Sequence, residues 1–179
     1  METMKLPESW KEANVTPIQK KGPTNLVEND RPISLTSIVC KTMDKFIRDC
    51  ILDHMERHNL FTTDQHGYIK GKSCATQLIE VLDNWTEQLD NRNAIDIIYL
   101  DFQKAFDTVP HQRLINKLQS YGICGNILWW IRDFLANRKQ NVFINGTGLE
   151  WTTVTSGIPQ RSVPGSIFFL QFTSMIYLM

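Results

Sequence analysis

Asp101 and Asp107 are the residues whose type and spacing could do chemistry. Asp101 stands near the end of the apolar run IDIIYLDF (95–102), and Asp107 follows Phe106 in YLDFQKAFDTVPH (99–111). Two carboxylates at the end of a strand suit a divalent cation. Such an ion wants hard oxygen ligands and often takes only one or two from protein, leaving the rest to phosphates and water. Asp96 cannot join them. Strand side chains alternate faces, so Asp96 and Asp101 point opposite ways and lie ~16 Å apart at ~3.3 Å per residue. The plainer reading of a strand-end aspartate is a turn residue or a helix cap. The stretch His54-Met-Glu-Arg-His58 puts two histidines one helical turn apart. It lacks the adjacent glutamate of a zinc-protease helix, so a solvent-facing polar pair is expected. Trp129 and Trp130 could stack on bases. Neighbouring helix positions diverge by about 100°, so at least one of them must pack.

The elements that would position these residues read as follows. Residues 1–33 contain Pro7, Pro17, Pro23 and Pro32 and are expected to be irregular. Residues 37–57 carry Val39, Met43, Phe46, Ile47, Cys50, Ile51 and Met55 at helical spacing, with Thr36 or Ser37 as the cap. FTTDQHGYIKGKSC (61–74) reads as a loop containing Lys70 and Lys72. Residues 75–90 repeat the helical pattern through Leu78, Val81, Leu82, Trp85 and Leu89. IDIIYLDF (95–102) is β-branched and aromatic, too short for a helix and right for a buried strand. HQRLINKLQSYG (111–122) sets Leu114, Ile115, Leu118 and Tyr121 on one face and ends at Gly122, a fitting residue past a helix C-terminus. A tryptophan-bearing helix is expected over 126–138. QNVFINGTGLEWTTVT (140–155) reads as a hairpin with Val142 and Ile144 alternating and Asn145-Gly146 at the turn. The mixture is α+β.

Composition bounds the class. The 179 residues carry 42% hydrophobic and 21% charged side chains, with Lys+Arg equal to Asp+Glu at 19 each. That is enough for one domain with its own core. With no net basic excess, any polyanion site must come from local clustering. Cys40, Cys50, Cys74 and Cys124 show neither CxxC nor zinc spacing, and METMKLPESWKEANV has no apolar signal core. The expectation is an intracellular protein, nuclear or cytoplasmic and not secreted, with reduced thiols. The apolar stretch SIFFLQFTSMIYLM (166–179) has 14 residues, short of the ~20 a membrane helix needs, so no membrane is expected as a partner.

Four segments widen the picture. RPISLTSIVCK (31–41), DQHGYIKGKSCATQL (64–78), YLDFQKAFDTVPH (99–111) and TSGIPQRSVPGSIF (155–168) occur in this order. Together they resemble the reverse transcriptases of non-LTR, LINE-type retrotransposons, in particular the jockey-like group, from about Leu6 to Phe169. The resemblance implies a right-hand polymerase fold, with fingers over about 1–94 and an incomplete palm over about 95–179. It implies magnesium as cofactor, and an RNA template, a DNA primer and deoxynucleoside triphosphates as partners. It also implies roles. Asp101 would be the metal-bridging carboxylate, with the Phe102 carbonyl helping to hold the ion. Phe106 would be the gate beneath the sugar, and Gln160 would line the nucleotide pocket. Arg31 would pair with triphosphate oxygens, and Lys70 and Lys72 would contact the template backbone, a salt-sensitive role.

Departures from the family pattern set further expectations. Arg161 stands where relatives have glycine directly after PQ, and Pro164-Gly165-Ser166 replaces Leu-Gly-Pro. Arg161 is expected to crowd or re-dress the pocket, since glycine there lets backbone approach a ligand closely. No Asp-Asp pair occurs in the sequence, so the Ala-Asp-Asp motif that supplies the second set of metal ligands is expected to be missing, and with it the thumb. The expectation is a truncated, catalytically inactive domain with an unpaired sheet edge beside 95–102 and poor solubility. The alternative is a domesticated fragment that binds nucleic acid without catalysis. Finally, relatives continue with a segment like AIYINDL where this chain reads LQFTSMIYL (170–178). The codons TTG CAA TTT ACA TCA ATG ATT TAT CTx encode the latter. Read from their third base, they encode Ala-Ile-Tyr-Ile-Asn-Asp-Leu-Ser. A frameshift or misplaced exon edge near Phe169–Leu170 is expected.

Overall fold

The structure is a computed structural model that describes residues 5–20, 22–23, 26–62, 66, 69, 71–98, 106–144 and 146–159. In chain order it has a helical turn α1 (Glu8–Lys11), strand β1 (Glu12–Gln19), a 3-10 turn (Val27–Asn29) and strand β2 (Asp30–Leu35). Four longer helices follow: α2 (Ile38–Arg57), α3 (Cys74–Asp90), α4 (His111–Ser120) and α5 (Gly125–Leu135). Strands β3 (Lys139–Ile144), β4 (Thr147–Gly148) and β5 (Thr152–Thr153) complete it. Helix and sheet are mixed, as the α+β expectation has it.

The sheet runs β2-β1-β3-β4, with β5 also pairing β3. It is mixed: β1 is antiparallel to β2 but parallel to β3, with Glu12 opposite Lys139 and Val15 opposite Val142. Residues 12–19 and 30–33, expected to be irregular, are therefore strand. Pro17 and Pro32 face each other across β1 and β2. Two prolines cannot exchange N–H bonds, so that rung is a non-hydrogen-bonded one and the ladder loses nothing. Among the described residues β2 is an edge strand, and the β1–β3 pairing ends at Val15, short of Pro17. Both prolines thus sit where a strand tolerates them.

The core is mainly helical. Ile47, Ile51 and Met55 of α2, Leu114, Ile115 and Leu118 of α4, and Leu128, Trp130, Ile131, Phe134 and Leu135 of α5 pack with Val109, Ile123 and Ile158. Helix α2 begins where expected, at Ser37, whose hydroxyl accepts from the Cys40 N–H at 3.1 Å. Its buried face is displaced from the expected one. Cys40, Asp44, Ile47, Ile51 and Met55 are buried, whereas Val39, Phe46 and Cys50 are exposed. Reading apolar residues alone misses this face because Asp44 lies in it. Helix α4 matches the expected helix, and α5 stops at Leu135, three residues short of the expected end. Trp130 packs and Trp129 is partly exposed, the divergence that adjacent helix positions require.

Helix α3 starts with a capping box between Ser73 and Thr76 but buries none of its residues; Leu78, Ile79, Leu82 and Leu89 are all exposed. Residues 95–98 form no strand, and Ile98 is 83% exposed, so the expected strand is not seen over its described half. The rest of that run, Tyr99 to Phe102, lies outside the described residues, as does 166–179. The short N-terminal segment is fastened to α5: Asp133 accepts from the Leu6 N–H and from the Lys11 ammonium, both at 2.8 Å. Among the described residues no helix is long and apolar enough to cross a membrane.

Candidate functional site

Beyond β3 the chain doubles back along that strand. The Ile144–Thr147 pair closes the expected turn with Gly146 at φ +83°. The Leu149 N–H then bonds the Val142 carbonyl, and the Val154 N–H bonds the Arg138 carbonyl, both at 2.9 Å. The hairpin thereby delivers Ser156, Gly157 and Ile158 to one place, against the segment that follows the expected metal-binding aspartate.

Four bonds fasten the two segments. The Ile158 N–H donates to the Phe106 carbonyl at 2.8 Å and the Gly157 N–H to the Val109 carbonyl at 2.9 Å. The Ser156 hydroxyl donates to the Asp107 carbonyl at 3.2 Å, and the His111 ring bonds the Gly157 carbonyl through Nε2 at 2.7 Å. Gly157 has φ +83°, and a Cβ there would stand 2.6 Å from the Asp107 carbonyl oxygen. Only glycine lets the backbones approach this closely. Ile158 and Val109 are buried in the core, which anchors the strap from beneath. Phe106 is half-buried and Asp107 is exposed. The strap brings together parts of two of the four sequence segments: Phe106 from the third, and Ser156–Ile158, just before Gln160, from the fourth.

The other expected site residues are distributed differently. Asp101, Phe102, Lys70 and Gln160 lie outside the described residues, as does Arg161. Arg31 is exposed on β2, opposite Ile18. Lys72 is half-buried in the turn before α3, its N–H bonded to the Ile69 carbonyl at 3.2 Å. His66, earlier in the same sequence segment, is buried and bonds Thr76 Oγ1 at 3.1 Å and Glu80 Oε2 at 2.7 Å. His66, His111, Ser156 and Gly157 were not singled out by the sequence reading. The signal for His111 was present in its position at the start of a predicted helix directly after the acidic segment. His54, expected at the surface, is half-buried and bonds the Tyr121 carbonyl at 2.8 Å, tying α2 to the end of α4. His58 is exposed, as expected. Among the described residues no three His, Cys, Asp or Glu side chains gather to hold a metal ion. An open groove on α3, lined by Asp83, Thr86, Glu87, Asp90 and Asn91, is acidic and would repel phosphate, so it is no rival to the strap.

Behind the strap's hairpin lies a buried polar cluster. Arg138, only 1% exposed, lies over the Phe134 ring at 4.3 Å, and Phe134 stacks on Trp130 at 4.9 Å. Asp44 is fully buried and neither carboxylate oxygen has a hydrogen-bond partner. Burial pushes Asp44 up to about 7, against the pull of the Arg138 charge. Burial likewise brings Arg138 down to about 10, and burial with the Asp44 charge takes the Cys40 thiol up to about 12. Cys40 is therefore an inert thiol and not a nucleophile.

Comparison with known proteins places these segments. A family model described as reverse transcriptase (RNA-dependent DNA polymerase) matches residues 18–177. The chain is 27% identical over 175 residues to a Drosophila melanogaster protein named "Probable RNA-directed DNA polymerase from transposon BS", covering 94% of this chain and 18% of that one. It is 28% identical over 169 residues to the RNA-directed DNA polymerase from mobile element jockey of the same fly, again covering 94% and 18%. To that from transposon X-element it is 26% identical over 168 residues, covering 93% and 18%. The chain thus spans less than a fifth of the length of these relatives.

Proposed function

This chain belongs to the reverse transcriptase (RNA-dependent DNA polymerase) family, and on that footing we propose that it builds part of the nucleotide-incorporating site of a non-LTR retrotransposon polymerase. One observation carries the reading. The strap ties Phe106, the expected sugar gate, to the Gly157–Ile158 peptide, in the sequence segment that also holds the expected pocket residue. In this reading Phe106 packs beneath the deoxyribose and excludes a 2′-hydroxyl. Gln160 lines the pocket, Arg31 meets the triphosphate, and Lys70 and Lys72 meet the template backbone. Asp101 and the Phe102 carbonyl would hold magnesium, which supplies Lewis-acid stabilisation of phosphoryl charge when bound. The fingers would run to about residue 94 and the palm segment would follow.

Phosphoryl transfer between two metals needs carboxylates on both sides of the ion pair, and the sequence has no Asp-Asp pair. The 179-residue polypeptide assayed alone with magnesium, four deoxynucleotides and a primed RNA is expected to add no nucleotide. Extension that Asp101→Ala abolishes would overturn this. A salt-sensitive shift of the primed RNA with no extension would favour the binding-only fragment, against which the balanced net charge argues.

The reading of 170–178 has its own test in the DNA. The codons are expected to encode Ala-Ile-Tyr-Ile-Asn-Asp-Leu in another frame, with an aromatic-Ala-Asp-Asp motif further on. Codons that give no such segment in either alternative frame would end the frameshift account.

A further inference from the structure

The bond from His111 has a consequence for the strap. Its Nε2 lies 2.7 Å from the Gly157 carbonyl oxygen. A carbonyl only accepts, so the ring donates through Nε2–H. The ring stands on a firm base, because His111 opens α4, whose Leu114, Ile115 and Leu118 are buried. The peptide between Gly157 and Ile158 is then gripped on both sides. His111 holds its carbonyl, and the Phe106 carbonyl holds its N–H at 2.8 Å. A peptide is planar, so two such bonds fix its orientation. The next residue is Pro159, whose ring locks its own φ near −65°.

We infer that His111 is a positioning residue for the pocket: by holding the Gly157–Ile158 peptide it keeps that peptide's N–H on the Phe106 carbonyl, and so sets how firmly the Phe106 gate is held and how sharply a ribose is told from a deoxyribose. This rests on the nucleotide-pocket reading above. His111 does not touch the nucleotide in this account; it acts through the peptide. Loss of its donor leaves the Gly157 carbonyl half-free, and the strap can rock about the remaining bonds.

The test uses the 179-residue chain with His111→Leu, which removes the donor, and His111→Gln, whose amide N–H can replace it. Hydrogen exchange reads the strap, and titration with dUTP and UTP in magnesium, followed at the Phe106 signals, reads the pocket. In His111→Leu the Gly157 and Ile158 amides are expected to lose about tenfold in protection, the factor one net hydrogen bond carries. Leu118 in α4 should keep its protection, and the preference for dUTP over UTP should fall. His111→Gln should restore both. A parallel loss at Leu118, or unchanged protection at Gly157, overturns the inference, since the first marks a general structural role and the second no role. A wild-type chain that binds neither nucleotide defeats the pocket reading itself. A wild-type chain that discriminates, with His111→Leu discriminating equally, defeats this inference alone.

Discussion

Gly157→Ala is expected to unseat the strap and cost about 3–5 kcal/mol of stability, a size that marks a severe lesion. Two effects add. The residue sits at φ +83°, where an L side chain costs roughly 1–2 kcal/mol. The new methyl would also stand 2.6 Å from the Asp107 carbonyl oxygen and 2.8 Å from its Cα. Those atoms are backbone and cannot swing aside. Relief means separating 106–109 from 156–158, which weakens the four bonds of the strap, Ile158–Phe106, Gly157–Val109, Ser156–Asp107 and His111–Gly157, each worth up to about 1 kcal/mol. Gly146→Ala is the control. Gly146 has the same φ, but a Cβ there meets nothing within 4 Å, so only the conformational part should appear. Urea unfolding of both variants measures the difference. Equal losses at the two positions would mean that the close approach to Asp107 does not exist in solution.

The second large effect is a dependence of stability on pH between about 4 and 8, traced to Asp44. Its folded carboxyl is raised from 3.8 to about 7, so the folded state prefers it protonated. The stabilisation is fully present below the unfolded value and is lost as pH rises through the folded one. At ~1.4 kcal/mol per tenfold change in proton affinity, the loss by pH 8 is about 4 kcal/mol. Arg138 pulls the other way, but burial dominates. Asp133 has the opposite sign and a different window. Burial raises it, but the Lys11 ammonium and the Leu6 N–H bring it below its ordinary value. Its contribution is therefore present above that value and disappears only in more acidic solution. Asp44→Asn should remove the slope between pH 4 and 8 and leave the acid-side loss intact. Unfolding free energies for the two proteins at pH 4, 6 and 8 decide it. Parallel curves would show that Asp44 finds a partner that keeps it ionised.

Much of this was legible where one local signal was enough. Ser37 announced the start of α2, the spacing of Leu114, Ile115 and Leu118 announced α4, and Asn145-Gly146 announced the tight turn. β1 and β2 were not legible, because Pro17 and Pro32 each read as a breaker. Their compatibility depends on standing opposite each other, a long-range fact. Asp44 hid the buried face of α2 for a related reason: a charged residue in the core contradicts the period by which a core is recognised. The four ordered segments identified the family, which no fold-level feature would have done. The strap itself was only half visible. Phe106 and Gln160 were marked by their motifs, whereas Gly157 acts through its backbone and His111 through a ring bond to a backbone carbonyl, contacts that leave little trace in a one-dimensional pattern.

The parallel pairing of β1 with β3 also sets a schedule. β1 is complete at Gln19 and finds β2 almost at once, but its other partner begins at Lys139. At ~5–20 residues per second of synthesis, roughly 6–25 s separate the two. Through that interval the far side of β1 is an open ladder, and open ladders recruit strands from other chains. Pro17 shortens the hazard, since it has no N–H to offer and the β1–β3 rungs stop at Val15. What waits on the ribosome is a very short edge.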